Sequence, residues 1–228
     1  MKKDQLVQTL ECQLRTVKAE RQGALRDPAL LAARTALKLF QSQRLAATHA
    51  DLLAAPDTRA AALFFFDELY GAHDLRQRDT DLERIIPTMQ RLLPLDALQT
   101  ITDAIVLDAL SEQLDSAMAR LLDGPLDPAS YARAYRQAGT PAERARQLEL
   151  VQALGSSLCR LVKVPLLGTT LNLMRAPARL AGLGDLQQFL ERGFGAFRRM
   201  RRADAFVTTI VERERAMMQA LYAGNCPG

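Results

Sequence analysis

Leucines and other apolar residues recur every three to four positions along almost the whole chain, and strand-like alternation is absent. That spacing matches the 3.6-residue turn of an α-helix rather than the two-residue period of a strand. Leu6, Leu10, Leu14 and Val17 predict a polar, amphipathic first helix over residues 4–22. A second is predicted from Pro28 to Ala54, with proline near its start, where a missing N–H costs little. Asp57 reads as the cap of a third, ended by Gly71. Asp79 or Thr80 begins a fourth that reaches Leu93, with Pro87 expected to kink or break it.

The longest uninterrupted run covers 96–123 and stops at Gly124-Pro125. Asp127-Pro128 gives a cap followed by a first-turn proline, and Gly139 closes that short helix. Thr140-Pro141-Ala142-Glu143 supplies a capping box for a helix to about Val162. Residues 166–180 read as a more apolar helix bounded by Pro165 and interrupted by Pro177. Gly182 to Asp185 reads as a stop and a new cap, and 185–223 as one long helix or two joined near Arg202. The pattern predicts one all-α domain over 1–228, a bundle of about eight to ten helices. The first helix, 1–22, is expected at the periphery, and 224–228 is a tail.

Composition agrees with a folded helical chain: 48% of residues are hydrophobic and 25% charged. Arginine outnumbers lysine 25 to 5. The net charge is only +4, but residues 175–202 hold seven arginines against Asp185 and Glu191, so the rest of the chain is slightly acidic. An anionic partner would meet that segment first. Three cysteines without C-x-x-C spacing read as reduced thiols, and the N-terminus carries no leader-like apolar core. No run approaches the ~18 apolar residues that span a bilayer. These features predict a cytoplasmic protein.

Three stretches carry candidate chemistry. In "AALFFFDELYGAHD", residues 61–74, three consecutive phenylalanines cover about 200° of a helix and require packing on more than one side. Asp67 and Glu68 fall at the C-terminal end, where the helix dipole disfavours acids. Arg76, Arg78 and Arg84 are the expected ion-pair partners, and a ligand site of Glu68, Tyr70, His73 and Arg76 is the functional alternative. No metal site is read there, because Glu-x-x-His pairs, a full zinc ligand set and an EF-hand loop are all missing. Cofactor motifs and a nucleophile elbow are absent too.

Residues 164–182 place Thr169, Thr170, Asn172 and Arg175 in the most apolar stretch. They read as a central core helix or as a pocket for a small apolar or anionic ligand, with Tyr131 and Tyr135 at its rim. Finally, Phe194, Phe197, Arg198, Arg199, Arg201 and Arg202 form a Phe/Arg-rich group. It reads as a cationic face paired with acids in the bundle, as a surface for a protein partner or a homodimer, or as a patch for nucleic acid or anionic membrane. Nucleic acid is disfavoured, since no helix-turn-helix with a basic recognition helix is present.

The segments "FFFDELYGAHDLRQRDTDLERIIPTMQRLLP" and "MRAPARLAGLGDLQQFLERGFGAF" resemble an uncharacterised family of helical bacterial proteins. The resemblance implies an all-helical fold over most of the chain and a bacterial origin, and it adds no mechanism. The leading expectation is a non-catalytic helical binding protein that acts, in self-association or on a partner, through its C-terminal helices. A small-molecule sensor with a pocket near 166–180 comes second. An enzyme using Glu68, Tyr70 and His73 comes third.

Overall fold

A computed structural model describes residues 2–70 and 76–225; the side chains of 67–70 and 76 lie outside that description. Among the described residues there are eleven helices and no strand. In chain order they are α1 (Lys3–Arg26), α2 (Pro28–Thr48), α3 (Ala50–Ala54), α4 (Arg59–Tyr70), α5 (Arg76–Leu92) and α6 (Leu95–Arg120). Then follow α7 (Pro128–Ala138), α8 (Pro141–Leu161), α9 (Leu167–Leu180), α10 (Gly184–Arg198) and α11 (Ala203–Tyr222).

α6 is the axis of the bundle, packed by α1, α2, α7 and α8. Its buried residues run all round the helix, from Leu98 and Ile105 to Leu114 and Met118. A helix enclosed on several sides has that distribution. α1 is not peripheral: Leu6, Leu10, Leu14 and Val17 are buried, and the helix lies along α6 and α5. The main apolar core joins α4, α8, α10 and α11 around Phe65, Phe66, Phe197 and Phe206.

Local chemistry explains most boundaries. Asp127 accepts from the Ser130 N–H at 2.7 Å, and the Thr140 hydroxyl accepts from the Glu143 N–H at 3.2 Å. Both satisfy amides that a helix start leaves without partners. The second helix ends earlier than its pattern suggests. His49 leaves helical geometry and turns its fully buried ring to Glu214, 3.0 Å away, so α3 starts afresh. Pro87 and Pro177 do not end their helices; both lie on exposed faces. The C-terminal stretch divides into α10 and α11 across residues 199–202, and the Asp57 carboxylate accepts from the Arg201 N–H at 3.3 Å.

α9 departs most from expectation. It is not a core helix: Ala178 is its one buried residue, and it packs chiefly on α10.

Candidate functional site

The consecutive phenylalanines of α4 divide their work. Phe65 and Phe66 enter the core, while Phe64 rests on α10, its ring 5.6 Å from Phe189. A Cβ at position 193 would stand 2.8 Å from Phe64 Cζ, so Gly193 is what lets α4 and α10 approach this closely. Gly168 does the same between α9 and α10: a Cβ there would meet Arg198 Nη1 at 2.8 Å and Phe194 Cε1 at 2.9 Å.

These contacts leave two clefts, one on each side of α10. The first, about 470 Å³, lies between α9 and α10 and is lined by Leu171, Asn172, Arg175, Phe194, Arg198 and Arg199, among others. The second, about 380 Å³, lies between α10 and α4 and is lined by Leu63, Phe64, Arg192 and Arg199. Both share Glu191, Gly195 and Arg199, which are spaced four residues apart along one face of α10. Nothing stands above Gly195 within 4 Å. The missing side chain lowers the ridge there and joins the two clefts into one groove.

The groove has an apolar floor and a cationic rim. Glu191 is its one acid, and it is already engaged: Arg175 holds it at 2.7 Å and Gln187 at 2.9 Å. Those hydrogen bonds keep its carboxyl below the usual range. The Arg198 guanidinium lies 5.8 Å from the Phe194 ring centroid, a cation–π distance. Among the described residues, no carboxylate pairs with Arg198 or Arg199.

The structure therefore brings Asn172 and Arg175 together with Phe194, Arg198 and Arg199. Thr169 and Thr170 face solvent on the far side of α9. Tyr131 and Tyr135 do not line the groove; they pack with Phe40, Leu37, Met118 and Leu221 between α2, α6, α7 and α11. Burial pushes both phenols up. Phe197 is fully buried, and Arg201 and Arg202 occupy the break before α11.

Asp67, Glu68, Tyr70, His73 and Arg76 lie outside the described side chains. Two of their expected partners are described. Arg78 donates to Asp108 at 2.6 Å and to Asp79 at 2.8 Å, and Arg84 donates to the Ala181 carbonyl at 2.6 Å.

A second constellation was missed in the sequence. Glu112 on α6 is buried and takes hydrogen bonds from Arg34, from Lys38 at 3.0 Å and from Arg21 at 3.4 Å. Arg21 also reaches Asp79 and Asp108, so α1, α2, α5 and α6 meet in one ionic network. Burial lowers the Lys38 pKa, with Asp115 opposing that shift. The readable signal was a matched ladder: Arg34, Lys38 and Gln41 on α2 against Asp108, Glu112 and Asp115 on α6. Among the described residues, no group of His, Cys, Asp or Glu could hold a metal ion. None of the described helices is long and apolar enough to cross a membrane.

Fold and site together define an all-α protein with a basic, apolar-floored groove on its C-terminal helices. The family model for a domain of unknown function (DUF8198) matches residues 20–227, so the chain belongs to that family. No curated protein and no solved structure matches it.

Proposed function

We propose that this is a non-catalytic cytoplasmic binding protein whose groove across α9, α10 and α4 recognises a protein partner through an acidic group next to an apolar one. The observation that carries this reading is a coincidence of two surfaces. The Phe194/Arg198/Arg199 group at the end of α10 and the Asn172/Arg175 group on α9 line the same cleft. Arginine beside an aromatic ring is a common anchor of protein interfaces. The polar lining supplies cations and an amide but no free base, since Glu191 is held as a carboxylate by Arg175 and Gln187. The burial of Phe197 does not favour self-association through that ring.

A second reading rests on volume. A cleft of about 470 Å³ falls in the size range of small-molecule sites, so an anionic amphiphile would fit. The fluorescent aromatic sulfonate anilinonaphthalene sulfonate carries the required charge and ring. The protein is saturated with this probe and then titrated with an acidic amphipathic helical peptide or with decanoate. Displacement by the peptide supports a protein partner, and displacement by decanoate alone supports the small-ligand reading. A probe that does not bind overturns both.

A further inference from the structure

We propose that α9 is a membrane-docking ridge that lies on an anionic bilayer surface. The inference rests on the outward face of α9, not on the groove behind it.

With Leu173 as reference and 100° per residue, Thr169, Thr170, Ala176, Pro177 and Leu180 fall within about 60° of it on either side. All six residues are exposed, and none is charged. Leu173 and Leu180, seven residues apart and so in one row, are 73% and 91% exposed, and Leu166, just before the helix, is 77% exposed. An outward helix face of a water-soluble bundle normally carries charge. Here about a third of the circumference carries none.

Leu166 adds an independent observation. It sits at the N-cap of α9 with φ +64°, a left-handed conformation that favours glycine or asparagine. The chain nevertheless holds a leucine there, pointing into solvent. Strain of this kind persists where a side chain serves a purpose outside the fold.

Charge decides what covers the ridge. α9 contains no acid. Exposed cations outnumber acids around it: Arg160 and Lys163 before its start, the latter 3.8 Å from Asp204, Arg179 in its last turn and Arg84 bonded to the Ala181 carbonyl beyond its end, against the exposed Asp185 at the start of α10. A second copy would bring like charges together, whereas an anionic surface complements them. The shape points the same way. The leucines form the crest of a single helix, and a convex row of apolar side chains with basic flanks is how an interfacial helix sits among lipid headgroups.

Flotation of the full chain with vesicles tests this. Half phosphatidylglycerol, half phosphatidylcholine vesicles should carry the protein up the gradient at 0.1 M salt, while pure phosphatidylcholine or 0.5 M salt should release most of it. L173E/L180E changes only exposed residues and should keep the helical circular dichroism spectrum while weakening binding by at least about tenfold. Leu166→Gly should also weaken binding but leave the thermal midpoint unchanged or raised, the opposite of a structural role. The proposal is overturned by absence of flotation, by flotation that L173E/L180E leaves unchanged, or by a dimer in light scattering that L173E/L180E dissolves in protein that does not float. Binding to an acidic amphipathic peptide without vesicle binding overturns it too, and leaves the groove reading standing.

Discussion

The guanidinium of Arg198 lies over the ring of Phe194, one turn earlier on α10, and its Nη1 reaches so close to Gly168 of α9 that a methyl group there would stand 2.8 Å away. An arginine laid across a ring and against a neighbouring helix is held in place before anything binds, which lowers the ordering cost of recognition. Gly168→Ala should therefore displace Arg198 or part the two helices, and weaken probe binding with little change in stability. Probe affinity and thermal midpoint, measured on the same sample, check this.

Glu112 is the keystone of the ionic network. Glu112→Ala leaves the buried Arg34 and the half-buried Lys38 without their carboxylate, and the expected loss is about 3–5 kcal/mol in urea unfolding. Replacing all three together, in R34M/K38M/E112L, should cost less than Glu112→Ala alone, because no orphaned charge remains. Arg21 keeps Asp79 and Asp108 in either case. An equal or greater loss in the triple variant would contradict this account of the network.

Acid should act through Glu214. Burial raises its pKa, but hydrogen bonds from His49 and Arg44 outweigh that and hold the carboxyl below its ordinary value of 4.5. The unfolded chain therefore takes up this proton first, and the carboxylate's contribution is full above pH 4.5 and lost as pH falls through the folded value. Glu214→Gln should lower stability at neutral pH and flatten the decline of the urea midpoint below pH 4.5.

Much of this fold is legible in the sequence where one turn of helix decides the outcome. The caps at Asp127 and Thr140 depend on residues three positions away, and the structure forms both. The break at His49 was not legible, because its cause is Glu214, 165 residues away in sequence. α9 misled for a related reason. Mean apolarity reports how much hydrophobic surface a helix has, not whether the bundle covers it, and α9 turns Leu173 and Leu180 outward. The groove was legible in pieces: the sequence marks Asn172, Arg175, Phe194, Arg198 and Arg199, but not that α9 folds back on α10 to unite them. In the sequence Gly195 is only a weak helix former, and its role in opening the ridge needs the helix packing to be seen.

Gly155 marks a close approach of α8 and α11, where a Cβ would meet Val207 Cγ1 at 2.5 Å. Gly155→Ala should cost ~1–3 kcal/mol as an overpacked core does. Adding Val207→Ala should recover part of that loss, measurable as a double-mutant cycle.

The thiols should react very unequally. Cys12 is exposed, whereas Cys159 is buried and burial pushes its thiol up to about 11. In a Cys226→Ser background at pH 8, Ellman's reagent should modify Cys12 within minutes and Cys159 only after denaturation.

The groove is the central claim, and the most direct test compares two arginine pairs of equal charge. Affinity for anilinonaphthalene sulfonate is measured for the wild type, R198A/R199A and R201A/R202A, with circular dichroism confirming that each is folded. If the groove recognises an anion beside an apolar group, R198A/R199A weakens binding about tenfold, the size of one or two lost charge-assisted contacts, while R201A/R202A leaves it nearly unchanged. Equal weakening by both pairs, or by neither, would contradict it.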